Sequence, residues 1–346
     1  MDVSVVIVAY NSSSVLGPCL DSLKKQSMLD RTEVIVVDNA SSDGTPQLVR
    51  DRYPWVDLRA GTRNAGFSVA VNLGIQRARG RYLLILNPDT IVREHSVRTL
   101  YQFMEKTPDA GIVAPKLVFH DGNLQYSCRR FYNWRVLLLR RTPLGKIFKN
   151  SPVISKHLML DFDHETTAKV DWVLGACMLV RREAVESVGM MDERFFLYFE
   201  DVDWCYRMKQ KRWDVYYHPE AVVVHDHARE SAKSVLNRPF AAHLASLIRY
   251  YEKWNGVFYT LKKYREVLKV TLFLGADLVA FNLAFLSAYY SRMALGDFLA
   301  KQLLPLQAYD NFTIYQNILF VFTFLVLGLY RIRRDTSRVD ELFAIG

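Results

Sequence analysis

The sequence contains few cysteines, and those that it has lie far apart. None of the four, Cys19, Cys128, Cys177 and Cys205, forms a C-x-x-C pair with another. This spacing argues against a metal–thiolate centre and against a disulfide framework. We therefore expect reduced thiols, as in a cytosolic protein.

Glycine-rich phosphate-binding loops are also missing. The first apolar run, VSVVIVAY, is followed by NSSS, and neither G-x-G-x-x-G nor G-x-x-x-x-G-K-[ST] occurs in the chain. Such glycines let backbone N–H groups approach the phosphates of dinucleotides and nucleoside triphosphates. Their absence argues against a dinucleotide-dependent dehydrogenase and against a P-loop enzyme.

The N-terminus lacks the basic segment that opens a secretory signal peptide. Asp2 is followed at once by the apolar run, so we expect the catalytic region to stay in the cytosol. The glycosylation sequons at Asn11, Asn39 and Asn311 are then coincidental.

The formal charge of +9 is spread along the chain. Two local basic clusters, residues 262–265 and 331–334, flank long apolar runs. This arrangement favours a membrane surface as the partner, and we expect no binding to nucleic acid.

Apolar strands alternate with amphipathic helices in the first part of the chain. Runs rich in Val, Ile and Leu end near Tyr10, Asp38 and Asn87, with helical spacing of apolar residues between them. The alternation predicts βαβ units and a mainly parallel sheet. We expect a globular α/β domain over residues 1–255 and a hydrophobic helical region over 256–346. Residues 123–167 of the first domain are irregular and are expected to form a mobile or acceptor-facing insertion.

Polar residues that close the predicted strands should meet in one crevice, because open α/β sheets bind ligands beyond the carboxyl ends of their strands. Among these residues, Asp89 can hold a divalent ion that also binds a diphosphate. The alternative is a simple turn, since Asn-Pro-Asp is common turn chemistry. His225 ends another predicted strand and is either a second metal ligand or a structural histidine.

The stretch FFLYFEDVDWCYR places Glu200, Asp201 and Asp203 in the first turn of a predicted helix. One interpretation is structural: the helix macrodipole stabilises acids there, and Asp203 pairs with Arg207 one turn later. The other is catalytic, because carboxylates with shifted pKa values cluster at functional sites.

In chain order, these motifs resemble the family 2 glycosyltransferases with the GT-A fold, and in particular their bacterial rhamnosyltransferase-like branch. The resemblance implies a GT-A catalytic domain followed by a membrane-associating helical region. The matching stretches are VSVVIVAYNSSSVLGPCLDSL, VIVVDNASSDGT, NAGFSVAVNLGI, YLLILNPDT, GACMLVRREAVESVGMMDERFFLYFEDVDWCYR and VVVHDH.

The resemblance also implies a nucleotide-sugar site. Asp38 corresponds to the carboxylate that binds the pyrimidine, and Asp89 matches the last acid of the family's D-x-D motif. Asn87 replaces the first acid of that motif, and His225 matches a histidine that completes a site for Mg²⁺ or Mn²⁺. The remaining donor-side residues are Ala9, Tyr10, Asn11, Arg63 and Asn64.

On the acceptor side, the resemblance makes Asp201 the general base of the reaction. Aromatic side chains nearby are expected either to stack on sugar rings or to belong to the core. The resemblance implies Gly175 and Ala176 as acceptor-side residues. Further acceptor-side candidates are Trp172, Glu200 and Trp204, with Phe199 as an additional aromatic.

The activity implied is inverting transfer of a sugar, foremost rhamnose from dTDP-rhamnose, to a polyprenyl-diphosphate-linked saccharide in cell-surface polysaccharide biosynthesis. A UDP-hexose or UDP-galactofuranose donor is the near alternative. A nucleotidyltransferase would share the fold, but it should carry a glycine-rich basic loop where this chain has AYNSSS. A membrane-anchored sugar-binding module would not need Asp201.

Two apolar segments in the tail, Val270–Tyr290 and Phe312–Tyr330, have about the 20 residues needed to cross a bilayer. Basic residues precede the first and follow the second. A helical hairpin inserted from the cytoplasmic side of the inner membrane would keep both basic flanks in the cytosol. The alternative is a pair of helices that lie in the membrane interface.

Overall fold

The computed structural model describes residues 1–133, 135–136, 139, 151–225, 238–254, 265–295 and 304–326. The chain divides into two compact units, Met1–Tyr250 and Tyr251–Gly346. The domain boundary predicted after residue 255 falls in a stretch outside the described residues and stays a prediction.

The first unit opens with alternating strands and helices, as the apolar periodicity predicts. Three of its strands are almost fully buried because both faces of the sheet are covered, which explains their continuous Val, Ile and Leu composition. The elements are β1 (Val3–Ala9), α1 (Leu16–Lys24), β2 (Thr32–Asp38), α2 (Thr45–Arg52), β3 (Asp57–Ala60), α3 (Phe67–Arg77), β4 (Tyr82–Leu86), β5 (Thr90–Val92) and α4 (Ser96–Lys106).

The remainder of this unit completes the sheet and adds the acidic helix. Its elements are β6 (Ala110–Val118), β7 (Leu124–Gln125), β8 (Cys128–Arg129), α5 (Pro152–Leu158), β9 (Ala168–Val170), β10 (Trp172–Val173), β11 (Cys177–Arg181), α6 (Arg182–Val188), α7 (Glu200–Gln210), β12 (Asp214–His225) and α8 (Arg238–Trp254). Part of the predicted insertion over 123–167 lies outside the described residues; the described part contains β7, β8 and α5.

The central sheet has the strand order β3-β2-β1-β4-β11-β6-β12-β5. The pairs β1–β2, β1–β4, β2–β3 and β6–β12 are parallel, whereas β11 runs antiparallel to both of its neighbours. The sheet is therefore mixed, with a parallel first half. The parallel register pairs Ala9 with Asp38, so the ends of β1 and β2 lie side by side.

The second unit contains two described apolar helices, α9 (Arg265–Ala294) and α10 (Asp310–Val326). Asn282 and Asn317 donate to one another's side-chain oxygens at 3.0 and 3.1 Å. The rings of Phe281 and Phe320 stack with centroids 4.7 Å apart. The two helices therefore contact each other through an amide pair set among apolar side chains.

Among the helices in the described ranges, one stretch, Lys269–Ala294, is long and apolar enough to cross a membrane by length and composition. It contains the predicted segment Val270–Tyr290, and none of its most apolar 18-residue segment is buried within the protein. This helix is consistent with a membrane-associating region. The second predicted segment begins within α10, but its residues 327–330 lie outside the described part of the chain.

Candidate active site

The carboxyl end of β2 provides a buried acceptor oxygen. Asp38 is 1% exposed, and its Oδ2 accepts a hydrogen bond from the backbone N–H of Ser41 at 3.1 Å. Its Oδ1 is buried and has no hydrogen-bond partner among the described residues. Because a buried carboxylate oxygen without a donor is costly, this atom is suited to accept a hydrogen bond from a ligand. Tyr10 and Asn11 directly follow β1, the strand that pairs with β2, and both are exposed.

The predicted donor-side loop is fixed against the end of β2 by Asn39. The Asn39 amide donates to Asn64 Oδ1 at 2.9 Å and accepts from the backbone N–H of Ala65 at 2.9 Å. Asn64 Oδ1 also accepts from the N–H of Gly66. Asn64 therefore shapes the loop, while Arg63 beside it is exposed. Asn39 directly follows Asp38 and is one of the polar strand-closing residues expected to meet in the crevice, but its role in fixing this loop is not predicted from the sequence.

The antiparallel pairing of β5 with β12 sets Thr90 opposite His225, which brings the end of β12 to Asp89. The distance from His225 Nε2 to Asp89 Oδ1 is 3.5 Å, and Nε2 lies at the same distance from the side-chain nitrogen of Asn87. The structure thus assembles all three residues predicted for this part of the site.

The orientation of the His225 ring is fixed by Gln125. His225 Nδ1 lies 2.8 Å from Gln125 Oε1, which can only accept, so Nδ1 carries the proton. Nε2 then accepts from the Asn87 side-chain N–H at 3.5 Å and also lies 3.5 Å from Asp89 Oδ1, a buried oxygen with no hydrogen-bond partner in the described part of the chain. Two Lewis-basic atoms that face each other in this way fit a divalent cation, and Gln125 supplies the outer hydrogen bond typical of a metal-binding histidine. Sequence reasoning missed Gln125, which lies 100 residues before its partner.

Such a cation would have few protein ligands. In the described ranges, no three His, Cys, Asp or Glu side chains cluster as a metal site. The neighbouring Asn87 side chain is an uncharged amide and adds no third acid to the pair. The residues present fit an ion that completes its shell with oxygens of a bound ligand and water.

The acidic helix α7 begins directly after two strained residues. Tyr198 and Phe199 both have φ of 69°, in the left-handed region that side chains other than glycine rarely adopt. The helix starts immediately after this bend, and its first turn carries Glu200, Asp201 and Asp203. Strain of this kind is concentrated at functional sites.

Asp201 is held by two backbone groups. Its Oδ2 accepts from the N–H of Gly175 at 3.1 Å, and its Oδ1 accepts from the N–H of Val202 at 2.8 Å. Burial raises the pKa of Asp201, while these two hydrogen bonds and the charge of Arg129 act to lower it. The carboxylate is therefore oriented and is more basic than an ordinary aspartate.

The neighbouring acids have different surroundings. Burial, and then the charge of Asp201, raise the pKa of Glu200 well above its usual range, and Glu200 Oε2 has no hydrogen-bond partner among the described residues. Asp203 is fully buried and accepts from Arg207 Nε at 2.8 Å. Arg207 also donates to the carbonyls of Val188 and Met190. The predicted structural pair is thus confirmed for Asp203.

Gly175 and Ala176 join the two halves of the site. Gly175 donates to Asp201, and the carbonyl of Ala176 accepts from the backbone N–H of Asn87 at 2.9 Å. Two adjacent residues thus connect the Asp201 carboxylate to the turn that carries Asp89. The start of the acidic helix and the turn that carries Asp89 are therefore linked through these two adjacent residues.

The structure corrects one interpretation of the aromatic side chains. Trp204 is fully buried and donates to the carbonyl of Gly189, while Trp172 is 3% exposed and donates to the carbonyl of Arg130. Phe199 is also buried. None of these rings is open to stack on a sugar, and each belongs to the core, as the alternative interpretation predicted.

The profile described as "Glycosyl transferase family 2" matches residues 4–189, more than half of the chain. The match ends before α7, so it includes β1 to β11 and not the helix that carries Asp201.

Two curated relatives are similar over most of the chain. The N-acetylglucosaminyl-diphospho-decaprenol L-rhamnosyltransferase of Mycobacterium tuberculosis is 29% identical over 73% of this chain and 85% of its own length. The dTDP-rhamnosyl transferase RfbF of Shigella flexneri is 26% identical over 76% of this chain and 80% of its own length.

Among solved structures, GalNAc-T7 with UDP, GalNAc and Mn²⁺ superposes with a TM-score of 0.54 at 18% identity. The match covers 75% of this chain and about half, 49%, of that longer chain. Similarity at this level shows the fold alone. Together with the family match, it confirms the predicted GT-A fold and family.

Proposed function

The chain belongs to glycosyl transferase family 2, and from that premise we propose that it transfers rhamnose from dTDP-rhamnose to a saccharide on a polyprenyl diphosphate. One of the two relatives supports the acceptor in this proposal, and the other supports the donor. One is named for a decaprenol-linked acceptor and the other for a dTDP-rhamnosyl donor. Such a reaction builds cell-surface polysaccharide.

One observation carries the proposal: the backbone link from Asp201 through Gly175 and Ala176 to Asn87. Sugar transfer needs a base for the acceptor hydroxyl and a site for the departing diphosphate within one crevice. The link supports such an arrangement, because it joins the Asp201 carboxylate to the turn that carries Asp89.

Asp201 would act as the base. In an inverting transfer, the acceptor hydroxyl attacks the anomeric carbon from the face opposite the departing diphosphate, and a carboxylate removes its proton. The raised pKa of Asp201 suits this role, because a more basic carboxylate accepts a proton more readily. Burial, and then the charge of Asp201, raise the pKa of Glu200 further, so Glu200 gives up its proton less readily than Asp201 does.

Asp89 and His225 would hold Mg²⁺ or Mn²⁺, which when bound neutralises negative charge on the leaving diphosphate. Gln125 keeps the proton of His225 on Nδ1, so that the Nε2 lone pair can bind the ion. At the other end of the donor, the Asp38 Oδ1 atom would accept the N–H of the pyrimidine ring, with Ala9, Tyr10 and Asn11 around it. Arg63 would approach the phosphates from its exposed loop position.

We also propose that the protein acts at the cytoplasmic face of the inner membrane. The apolar helix Lys269–Ala294 supports membrane association. A polyprenyl-linked acceptor remains in the bilayer, so an enzyme anchored there meets its substrate at high local concentration.

A donor panel tests the proposal. Full-length protein in detergent or vesicles is given dTDP-rhamnose, UDP-glucose, UDP-galactose or UDP-galactofuranose with a short polyprenyl-diphosphate-linked saccharide. We expect dTDP-rhamnose to give the highest kcat/KM. Faster transfer from a UDP-sugar would contradict the donor assignment, and transfer from none of them, with nucleotide binding intact, would contradict the acceptor class.

A further inference from the structure

Residues 194–199, called the strap here, lead directly into the acidic helix and are held on one side by α3. The backbone N–H of Phe67 donates to the carbonyl of Phe196, and Ser68 Oγ donates to the carbonyl of Phe195, both at 2.7 Å. Gly66 permits this approach: it has φ of 92°, and a Cβ there would lie 2.7 Å from the Phe196 ring. The donor-side loop and the strap therefore fit closely together.

The other side of the strap is held by α8. Ser246 Oγ donates to the carbonyl of Leu197 at 2.9 Å, and Arg249 Nη1 donates to the carbonyl of Arg194 at 2.6 Å. Ser246 is fully buried. Four successive carbonyls of the strap, 194 to 197, thus accept hydrogen bonds from α3 or α8, and the strap has little freedom to move.

The same face of α8 packs on the strained bend. The His243 ring lies 5.1 Å from the Tyr198 ring and 5.2 Å from the Phe199 ring, and Tyr250 lies 5.5 Å from Phe199. With Ser246, these residues fall at i, i+3 and i+7 on one side of the helix. A left-handed conformation at two successive residues persists only where the surroundings enforce it. Here α8 supplies part of those surroundings.

We propose that α8, which lies beyond the family-matched region, positions the Asp201 carboxylate for transfer, and that Ser246 is the positioning residue. The inference rests on the role proposed above for Asp201. The Ser246 bond fixes the chain at Leu197, immediately before the bend at Tyr198 and Phe199 that sets the start of α7. Losing it loosens the bend and misplaces the base, while the nucleotide pocket at β1 and β2 stays intact.

The test compares Ser246→Ala with a matched control, Ser4→Ala, in the full-length protein. Ser4 is as buried as Ser246, and its replacement by Ala also removes hydroxyl hydrogen bonds, to Glu33 and Gly80. Ser4 lies near the start of β1, away from the carboxyl end where the nucleotide pocket is proposed. Transfer kcat, donor KM, the dTDP dissociation constant and Tm are measured for each. Because small displacements of catalytic groups are costly, we expect Ser246→Ala to lower kcat about 10- to 100-fold with dTDP affinity unchanged.

An exposed second variant keeps the inference testable if Ser246→Ala folds poorly. Arg249 is exposed, and Arg249→Ala removes the second hydrogen bond from α8 to the strap, the one to the Arg194 carbonyl. We expect a smaller loss of kcat than in Ser246→Ala, again without loss of dTDP affinity. Wild-type kcat in both variants, with Asp201→Asn inactive, would overturn the inference and leave the proposed function standing. Equal losses in Ser246→Ala and Ser4→Ala that follow Tm would also overturn it. An active Asp201→Asn would overturn both.

Discussion

At the scale of single residues, the three acids of the FEDVD stretch differ because their partners differ. Asp203 is neutralised by Arg207, Glu200 has a buried oxygen without a donor among the described residues, and Asp201 is oriented by Gly175 and Val202. The sequence predicts the Asp203–Arg207 pair from its i, i+4 spacing. Residue spacing alone does not distinguish Glu200 from Asp201, because their surroundings come from distant segments; only the family resemblance separates them.

The raised pKa of Asp201 predicts the pH dependence of transfer. Only the ionised form accepts a proton, so kcat/KM should fall as the pH drops through the pKa of Asp201. Burial raises this value above the roughly 3.9 that is usual for aspartate, so the acid limb should lie at a higher pH than that. A pH–rate profile measures it, and an acid limb at or below the ordinary aspartate value would contradict the assignment.

The Asp89–His225 pair predicts metal-dependent nucleotide binding. Titration calorimetry of dTDP with and without Mn²⁺ should show tighter binding with the ion in the wild-type protein. In Asp89→Ala this difference should shrink, because one of the two protein ligands is lost. Equal affinity with and without Mn²⁺ in the wild type would show that Asn-Pro-Asp is only a turn.

At the scale of secondary structure, the pattern of the strands is predictable and their direction is not. Buried parallel and antiparallel strands have the same apolar composition, so β11 could not be recognised as antiparallel to β4 and β6. Likewise, the bend before α7 depends on Ser246 and His243, which lie in α8, beyond both α7 and β12. Non-local contacts of this kind leave no periodic signal in the sequence.

The Asp203–Arg207 pair should stabilise the fold rather than the reaction. The Asp203 side chain is fully buried and that of Arg207 is 14% exposed, so Asp203→Ala should cost about 3–5 kcal/mol of unfolding free energy by leaving a buried charge unpaired. Denaturant unfolding measures this cost.

Arg59→Ala provides the matched control for that measurement. It removes the exposed ion pair with Asp57, and such pairs contribute only about 0–1 kcal/mol. Equal losses in the two variants would contradict a stabilising role that is specific to the buried pair.

At the scale of the whole molecule, the chain combines a GT-A unit with an apolar helical unit. The apolar segments and their basic flanks are readable from sequence, since length and hydropathy determine what a bilayer accepts. The contact between the two helices through Asn282 and Asn317 cannot be predicted from the sequence, because polar residues in such segments find partners only once the helices pack.

Fractionation tests the membrane assignment. The full-length protein should remain with membranes after a high-salt wash and be released by detergent, because salt screens charge interactions and leaves apolar insertion intact. Complete release by salt would exclude insertion of Lys269–Ala294 and favour helices that lie on the headgroups.

The central claim is that Asp201 is the base of sugar transfer, and its replacement by Asn tests this most directly. Asparagine keeps the shape but cannot take the proton, so transfer kcat should fall by about 10²- to 10⁴-fold. Affinity for dTDP, measured by calorimetry, should be retained, and Glu200→Gln should retain far more activity. Wild-type kcat in Asp201→Asn would contradict the account.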